Sequence, residues 1–320
     1  MRCLKYGRAA RPQEEHFKTM KQNAMAKFTA LQREQWTVDG FVQLGGVLSP
    51  EEVKFFSDQI DRIRVLPGYE PSHDTMPLGH YDWVEHANPD MNSFMDRRDL
   101  LPYHPSFIDL IDRPNVFDLI VDIMGPYLQF SMSQAIVRGG NDGFPGYTHT
   151  DGGQSQRLVR VTETSAPIAV KAMYLLTDVN DLDSGNFTVF PGSHMRPFPT
   201  TNGRAPNPHA PGAVQLMGKA GDCYLFSHSL WHGPAPNQTN HGRKTILYNY
   251  SQMFVRWYDY GAVVPDEILD KCTPRQRRLL GDLGYEFRPG SYFYVPEDQE
   301  AIIRQDSSLE NALQPPHLDP

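Results

Sequence analysis

Cysteine is scarce in this 320-residue chain: there are three, Cys3, Cys223 and Cys272, far apart and in no C-x-x-C spacing. That pattern argues against a disulfide scaffold or a cysteine-built zinc site and points to a reducing, cytoplasmic setting. No apolar run reaches the roughly 18 residues that cross a bilayer. The first residues, MRCLKYGRAARPQEEHF, carry positive charge with no apolar segment behind it, so they do not read as a secretory signal. The sequons at Asn186 and Asn237 then carry no weight. An excess of basic residues is also lacking. Thirty Lys and Arg against 38 Asp and Glu give a net charge of −8, which argues against a nucleic-acid partner or an anionic membrane surface. Internal repeats and low-complexity tracts are absent.

What the chain does have is enough apolar residue, 39%, to bury the core of one large domain. Residues 1–26 are polar and aperiodic and are expected to form a loose extension. Residues 27–320 are expected to be a single domain. A short helix is expected from about Thr29 through Trp36, followed by a turn at Asp39-Gly40 and a strand over Phe41 to Leu44. Ser49-Pro50-Glu51-Glu52 combines an N-cap, a first-turn proline and a capping-box glutamate, and Val53, Phe56, Ile60 and Ile63 follow at helical spacing. Residues 65–104 show little periodicity and are rich in Pro, His, Asp and Met; a lid or pocket insert is expected there. Pro114 and Gly125 bracket another helix.

From residue 128 the pattern turns to short strands, over 128–138, 168–176, 187–190, 214–216, 222–226 and 244–252, separated by Gly, Pro, Asn and Asp. Helices first and strands afterwards predict an α+β fold with helices packed on a β core. A helical tail is expected over about 263–320. Its Arg275-Gln276-Arg277-Arg278-Leu279-Leu280 stretch reads as a packing helix in preference to a dimer contact.

The chemistry is carried by Tyr147-Thr148-His149-Thr150-Asp151 and by Trp231-His232-Gly233. On an extended segment, residues two apart share a face, so His149 and Asp151 can reach one ion. With His232 they form the two-imidazole, one-carboxylate set of non-haem Fe(II) oxygenases, which leaves room for a 2-oxo acid and O2. An H-x-D tripeptide alone arises often by chance, and a histidine beside tryptophan is more often packed than ligating. Arg243, eleven residues after His232 on the next expected strand, changes the balance. Its guanidinium fork matches the far carboxylate of 2-oxoglutarate; the bland alternative is a solvated charge in His241-Gly242-Arg243-Lys244. His194, in the turn Pro191-Gly192-Ser193-His194, reads as structural.

Taken together, these residues resemble the phytanoyl-CoA dioxygenase family of Fe(II)/2-oxoglutarate oxygenases. The resemblance covers roughly residues 36–253. It rests on Asp39-Gly40-Phe41-Val42, Leu48 to Glu52, His149-x-Asp151, Thr177-Asp178-Val179 with Ser184-Gly185-Asn186, Pro191 to His194, Gly221-Asp222 with Phe226, and above all His232-Gly233-x-x-x-Asn237-x-Thr239-x-x-x-Arg243. It implies a double-stranded β-helix, a jelly-roll or cupin-like core flanked by helices, with His149, Asp151 and His232 as iron ligands and Arg243 on 2-oxoglutarate. It also implies co-substrate contacts from Gln134 and from Met173, where many relatives have tryptophan; Lys171, on the same face as Met173 if that strand is regular, is another candidate. Halogenating relatives lack the carboxylate ligand. Its presence as Asp151 favours hydroxylation of a small organic substrate (a natural product, lipid-like or amino-acid-like molecule).

Desaturation, epoxidation or epimerisation use the same site and remain open, as does a barrel that binds a metal or ligand without turnover. Candidate substrate contacts are His80, Tyr81, Trp83, Arg97, Arg98, His104, Gln154 and Arg157. A monomer or homodimer is expected.

Overall fold

In a computed structural model, which describes residues 27–65, 90–151, 165–199, 206–255, 264–283, 298–299 and 302, the local signals act where the sequence sets them. The Thr29 hydroxyl accepts from the Gln32 backbone N–H, and the Gln32 side chain accepts from that of Thr29. This box opens α1, Ala30–Asp39. β1, Phe41–Leu44, follows. Ser49 and Glu52 make the same reciprocal pair at the head of α2, Pro50–Arg64, which buries Phe56, Ile60 and Ile63. Each such side chain contributes about 1.5–3 kcal/mol by leaving water.

The remaining elements, in order, are β2 (Met95–Arg98), α3 (Pro105–Asp109), α4 (Phe117–Met124), β3 (Leu128–Arg138), β4 (Ala169–Leu175), β5 (Phe187–Val189), β6 (Val214–Gln215), β7 (Cys223–Ser227), β8 (His232–Pro234), β9 (Arg243–Gln252), α5 (Asp266–Leu269) and α6 (Pro274–Leu279). They form a six-stranded sheet, order β1-β7-β4-β9-β3-β2, and a three-stranded sheet, β6-β5-β8. Every pairing is antiparallel. His149 extends the smaller sheet by bridging to His232. From β3 onward the chain therefore passes back and forth between two sheets, which is the expected double-stranded β-helix.

Strand alternation divides the larger sheet into two faces. Outward, Ile246, Tyr248, Tyr250 and Tyr174 pack with the helices in the main core, and the Tyr250 hydroxyl donates to the Ile111 carbonyl at 2.8 Å. Inward, Met173, Leu175, Tyr224, Phe226 and Leu247 meet Phe187 and Val189 of the smaller sheet. This second, smaller core forms the floor under the candidate site. The register also places Gln134 opposite Leu247, Met173 opposite Leu247, Lys171 opposite Asn249, and Arg138 opposite Arg243.

The structure adds detail to the sequence expectations. Within the expected insert at 65–104, residues 66–89, with His80, Tyr81 and Trp83, lie outside the described residues. The remainder is not all loop: Met95–Arg98 is an edge strand on β3, and Leu100 and Leu101 are core. A strand reading Met-Asp-Arg-Arg has no apolar alternation to reveal it, and charged residues suit an edge. β8 is likewise too short and too glycine- and proline-rich to read as a strand. In the tail, the described residues include the two short helices α5 and α6. Leu269, Leu279 and Leu280 join the main core, and the Gln276 amide donates to the Ile108 carbonyl at 3.2 Å, so α6 packs inward. The extension at 1–26, Gln154, Arg157 and most of the last thirty-seven residues lie outside the described residues. No helix among the described residues is long and apolar enough to cross a membrane.

Candidate metal centre

Two separate segments bring the ligand candidates together. His149 and His232 exchange backbone hydrogen bonds of 2.8 and 2.9 Å, and the Asp151 N–H donates to the His228 carbonyl at 3.0 Å. On its other edge β8 pairs with β5, His232 opposite Val189. The imidazoles are thus fixed by main chain on both sides. Nε2 of His149 and Nε2 of His232 each lie 3.7 Å from Asp151 Oδ1, and the three ligand atoms fall within 4.8 Å of one another.

The donor set fits a divalent transition metal. His232 Nδ1 lies 2.8 Å from the Leu230 carbonyl. A carbonyl only accepts, so Nδ1 carries the proton and Nε2 presents its lone pair. Burial pushes the His232 imidazole down to about 3, against the opposing pull of Asp151, so it is neutral and ready to ligate at neutral pH. Burial alone would raise the Asp151 carboxyl. Lys171, then the two histidines, outweigh it and hold that carboxyl well below the usual range. Asp151 Oδ1 accepts from Lys171 Nζ at 2.7 Å, whereas Oδ2 is buried with no hydrogen-bond partner. An ionised, buried carboxylate oxygen without a partner is costly unless a cation meets it. Phe187 and Phe226 wall the His232 ring, at centroid distances of 5.4 and 4.8 Å.

Arg243 is 5% exposed and faces the same interior. Its Nε donates to the Gly185 carbonyl at 2.7 Å and its Nη1 to the Thr245 hydroxyl at 2.8 Å, which stiffens the guanidinium. Burial, with Arg138 beside it, lowers the group to about 9, still charged at neutral pH. The spacing His232 to Arg243 acquires a physical reason here. Asn237 donates to the carbonyls of Arg138 and His241 and accepts from Thr239, and so shapes the turn that brings β9 back beside β3.

The other candidates separate by face. Gln134, Met173 and Lys171 share the inward face with Arg243. The Gln134 amide donates to Asp96 at 2.7 Å, Met173 is buried in the inner core, and Lys171 is committed to Asp151. Arg98 lies inward, opposite Gln134, whereas Arg97, opposite Ala135, lies on the helix side. His104 caps α3 and stacks edge-on against Phe55, away from the centre. His194 is buried against the Gly40 backbone, in keeping with a structural role. Asp222 accepts from Gly46 and Lys219 backbone N–H groups and ties β1 to its turn, so the Gly221-Asp222 pair is structural. Sequence reasoning missed Arg138 and Thr245, because only strand register shows that they face inward.

Gly233 has a steric reason to be glycine: a Cβ there would sit 1.8 Å from the Tyr147 carbonyl oxygen. The obstacle is backbone, so it cannot move aside cheaply. Gly233→Ala is expected to separate the His149–His232 bridge, lowering stability by about 1–3 kcal/mol and weakening metal uptake. Thermal melts with and without added metal check this. Wild-type melting and metal content would refute it.

Comparison with known proteins follows the same lines. The sequence profile of the family described as Phytanoyl-CoA dioxygenase (PhyH) matches residues 36–245. A dioxygenase from Talaromyces verruculosus, cdmA, is 29% identical over 128 residues, 39% of this chain and 42% of its own length. The match thus spans less than half of that relative. Among solved structures, HygX from Streptomyces hygroscopicus with nickel and 2-oxoglutarate bound is similar, with a TM-score of 0.55 and 20% identity over 71% of this chain and 88% of its own. SnoK, a non-haem alpha-ketoglutarate-dependent carbocyclase from nogalamycin biosynthesis, has a TM-score of 0.53 and 19% identity over 77% of this chain and 92% of its own.

Proposed function

The chain belongs to the phytanoyl-CoA dioxygenase family, and from that membership we propose that it is an Fe(II)- and 2-oxoglutarate-dependent dioxygenase that hydroxylates a small organic substrate. The observation that carries the reading is the convergence of His149, Asp151 and His232, with a partnerless Asp151 oxygen, on the face that also holds Arg243. A binding barrel without turnover has no need of both. When bound, the iron supplies the capacity to use O2 to oxidise 2-oxoglutarate and substrate together: 2-oxoglutarate, O2 and R–H give succinate, CO2 and R–OH.

The protein's own residues divide the remaining work. His149, Asp151 and His232 would hold the ion. Arg243, stiffened by Gly185 and Thr245, would receive the far carboxylate of the co-substrate in two-point geometry. Gln134 and Met173 would line the co-substrate channel, one polar and one apolar. Phe187 and Phe226 keep water from the His232 side. Lys171 bonds Asp151 Oδ1, the oxygen that lies 3.7 Å from both histidine Nε2 atoms, and would steady the carboxylate in that position. Lys171→Met is expected to lower Fe(II) affinity or turnover by about 10–100-fold, measured by metal titration and initial rates. Unchanged values of both would remove Lys171 from this role.

The deciding experiment is a screen of anaerobically loaded protein against metabolite extracts, reading succinate released on admission of O2 and the mass of the new product. Hydroxylation adds one oxygen. A product lighter by two hydrogens would replace hydroxylation with desaturation. No metal-dependent loss of 2-oxoglutarate under any condition would sink the enzymatic reading.

A further inference from the structure

The inner face carries two arginines where one carboxylate is expected. Arg138, last in β3, stands directly opposite Arg243, first in β9, and directly opposed side chains share a face of the sheet. A Cβ built on Gly185 would lie 3.3 Å from the Cβ of Arg138 and 3.3 Å from that of Arg243. Gly185 thus packs closely against both stems, and a side chain there would crowd them.

Both arginines are withdrawn from water, Arg138 at 8% and Arg243 at 5% exposure. No ion pair among the described residues includes either one. Arg138 Nε is buried without a hydrogen-bond partner. Its guanidinium carbon lies 5.2, 5.1 and 5.8 Å from the ring centres of Phe94, Phe144 and Tyr147. Those rings soften the lost hydration of the cation but occupy none of its N–H donors. Two like charges opposite one another, buried and without a carboxylate, are destabilising unless an anion joins them.

The reading rests on the proposed 2-oxoglutarate dependence. We propose that Arg138 is a second co-substrate-binding residue: its guanidinium and that of Arg243 together receive the far carboxylate of 2-oxoglutarate, and the pair makes the site selective for a 2-oxo diacid over a 2-oxo monoacid. A carboxylate has two oxygens and about four lone-pair positions, enough for both forks. Tyr147 lies between Arg138 and the metal ligand loop, its ring 5.1 Å from that of His149, so the diacid would be gripped beside the segment that carries the first two ligands.

The test compares wild type with Arg138→Met and Arg138→Gln, loaded anaerobically with Fe(II). Each is titrated with 2-oxoglutarate and with 2-oxobutanoate, which lacks the far carboxylate, following the visible charge-transfer band of the chelate. Wild type lacking any band with 2-oxoglutarate would count against the functional reading itself. Given a wild-type band, weakening of 2-oxoglutarate by about tenfold to a hundredfold with 2-oxobutanoate unchanged supports the role. Equal affinities in variant and wild type overturn it. Equal weakening of both acids also overturns it, since Arg138 would then act through the His149 loop. So does retained co-substrate affinity with lost substrate affinity, which would assign Arg138 to a substrate acid. Should neither variant fold, a wild-type crystal structure with metal and 2-oxoglutarate decides the matter. An Arg138 nitrogen within about 3.5 Å of the far carboxylate supports the proposal, and one beyond hydrogen-bond reach overturns it.

Discussion

Asp151→Ala is expected to abolish Fe(II)-dependent consumption of 2-oxoglutarate, with succinate release falling on the order of a thousandfold. Supporting groups behind a metal ligand are already worth about 10–100-fold, and Asp151 is the sole carboxylate of the three converging donors. Its loss removes the negative charge that would balance a divalent ion and leaves only the two imidazoles. The same change acts on the fold. Lys171 has 13% of its side chain exposed and would lose the partner 2.7 Å away. Leaving one member of a buried pair unpaired costs about 3–5 kcal/mol. Asp151→Ala together with Lys171→Met is therefore expected to melt at a higher temperature than Asp151→Ala alone while staying inactive. Metal content, succinate release and melting temperature separate the two effects. Retention of metal and turnover by Asp151→Ala would falsify the ligand assignment.

The second large effect is expected at Arg243. Arg243→Met should raise the KM for 2-oxoglutarate by about a hundredfold, with a smaller change in kcat at saturation. In the proposed role the guanidinium would serve the co-substrate, not the reacting bond. Arg243→Lys should recover only part of the loss, because an ammonium keeps the charge and loses the planar fork. The variant also strands the Gly185 carbonyl, which now accepts from Nε, so iron content must be compared before kinetics. Relief of the Arg138–Arg243 repulsion works in the opposite direction, and the apo melting temperature is expected to change little. Initial rates across a 2-oxoglutarate series measure the effect. A KM equal to that of wild type would move the co-substrate elsewhere in the barrel.

Much of the helical framework was legible because its signals are contiguous. Thr29 with Gln32, and Ser49 with Glu52, close capping boxes within four residues, and no distant contact is needed to form them. The long strands β3, β4 and β9 are apolar enough to be read directly. β2 and β8 are not, since a charged edge strand and a three-residue His-Gly-Pro strand owe their existence to a neighbouring strand. The metal triad was legible for a mixed reason. His149 and Asp151 are local, but His232 becomes a partner only when β8 is bridged to the His149 segment.

The sequence by itself therefore determined the class of fold, the helix starts, and the candidacy of His149, Asp151 and His232 as ligands and of Arg243 as a carboxylate partner. Those depend on short-range hydrogen bonding, strand alternation and a donor set whose chemistry follows from residue type. Only the tertiary structure decided that Lys171 grips Asp151, that Gln134 bonds Asp96, and that Arg138 faces Arg243 across a strand pair. Strand register is the physical reason: a slip of one residue would turn each of these side chains to the opposite face.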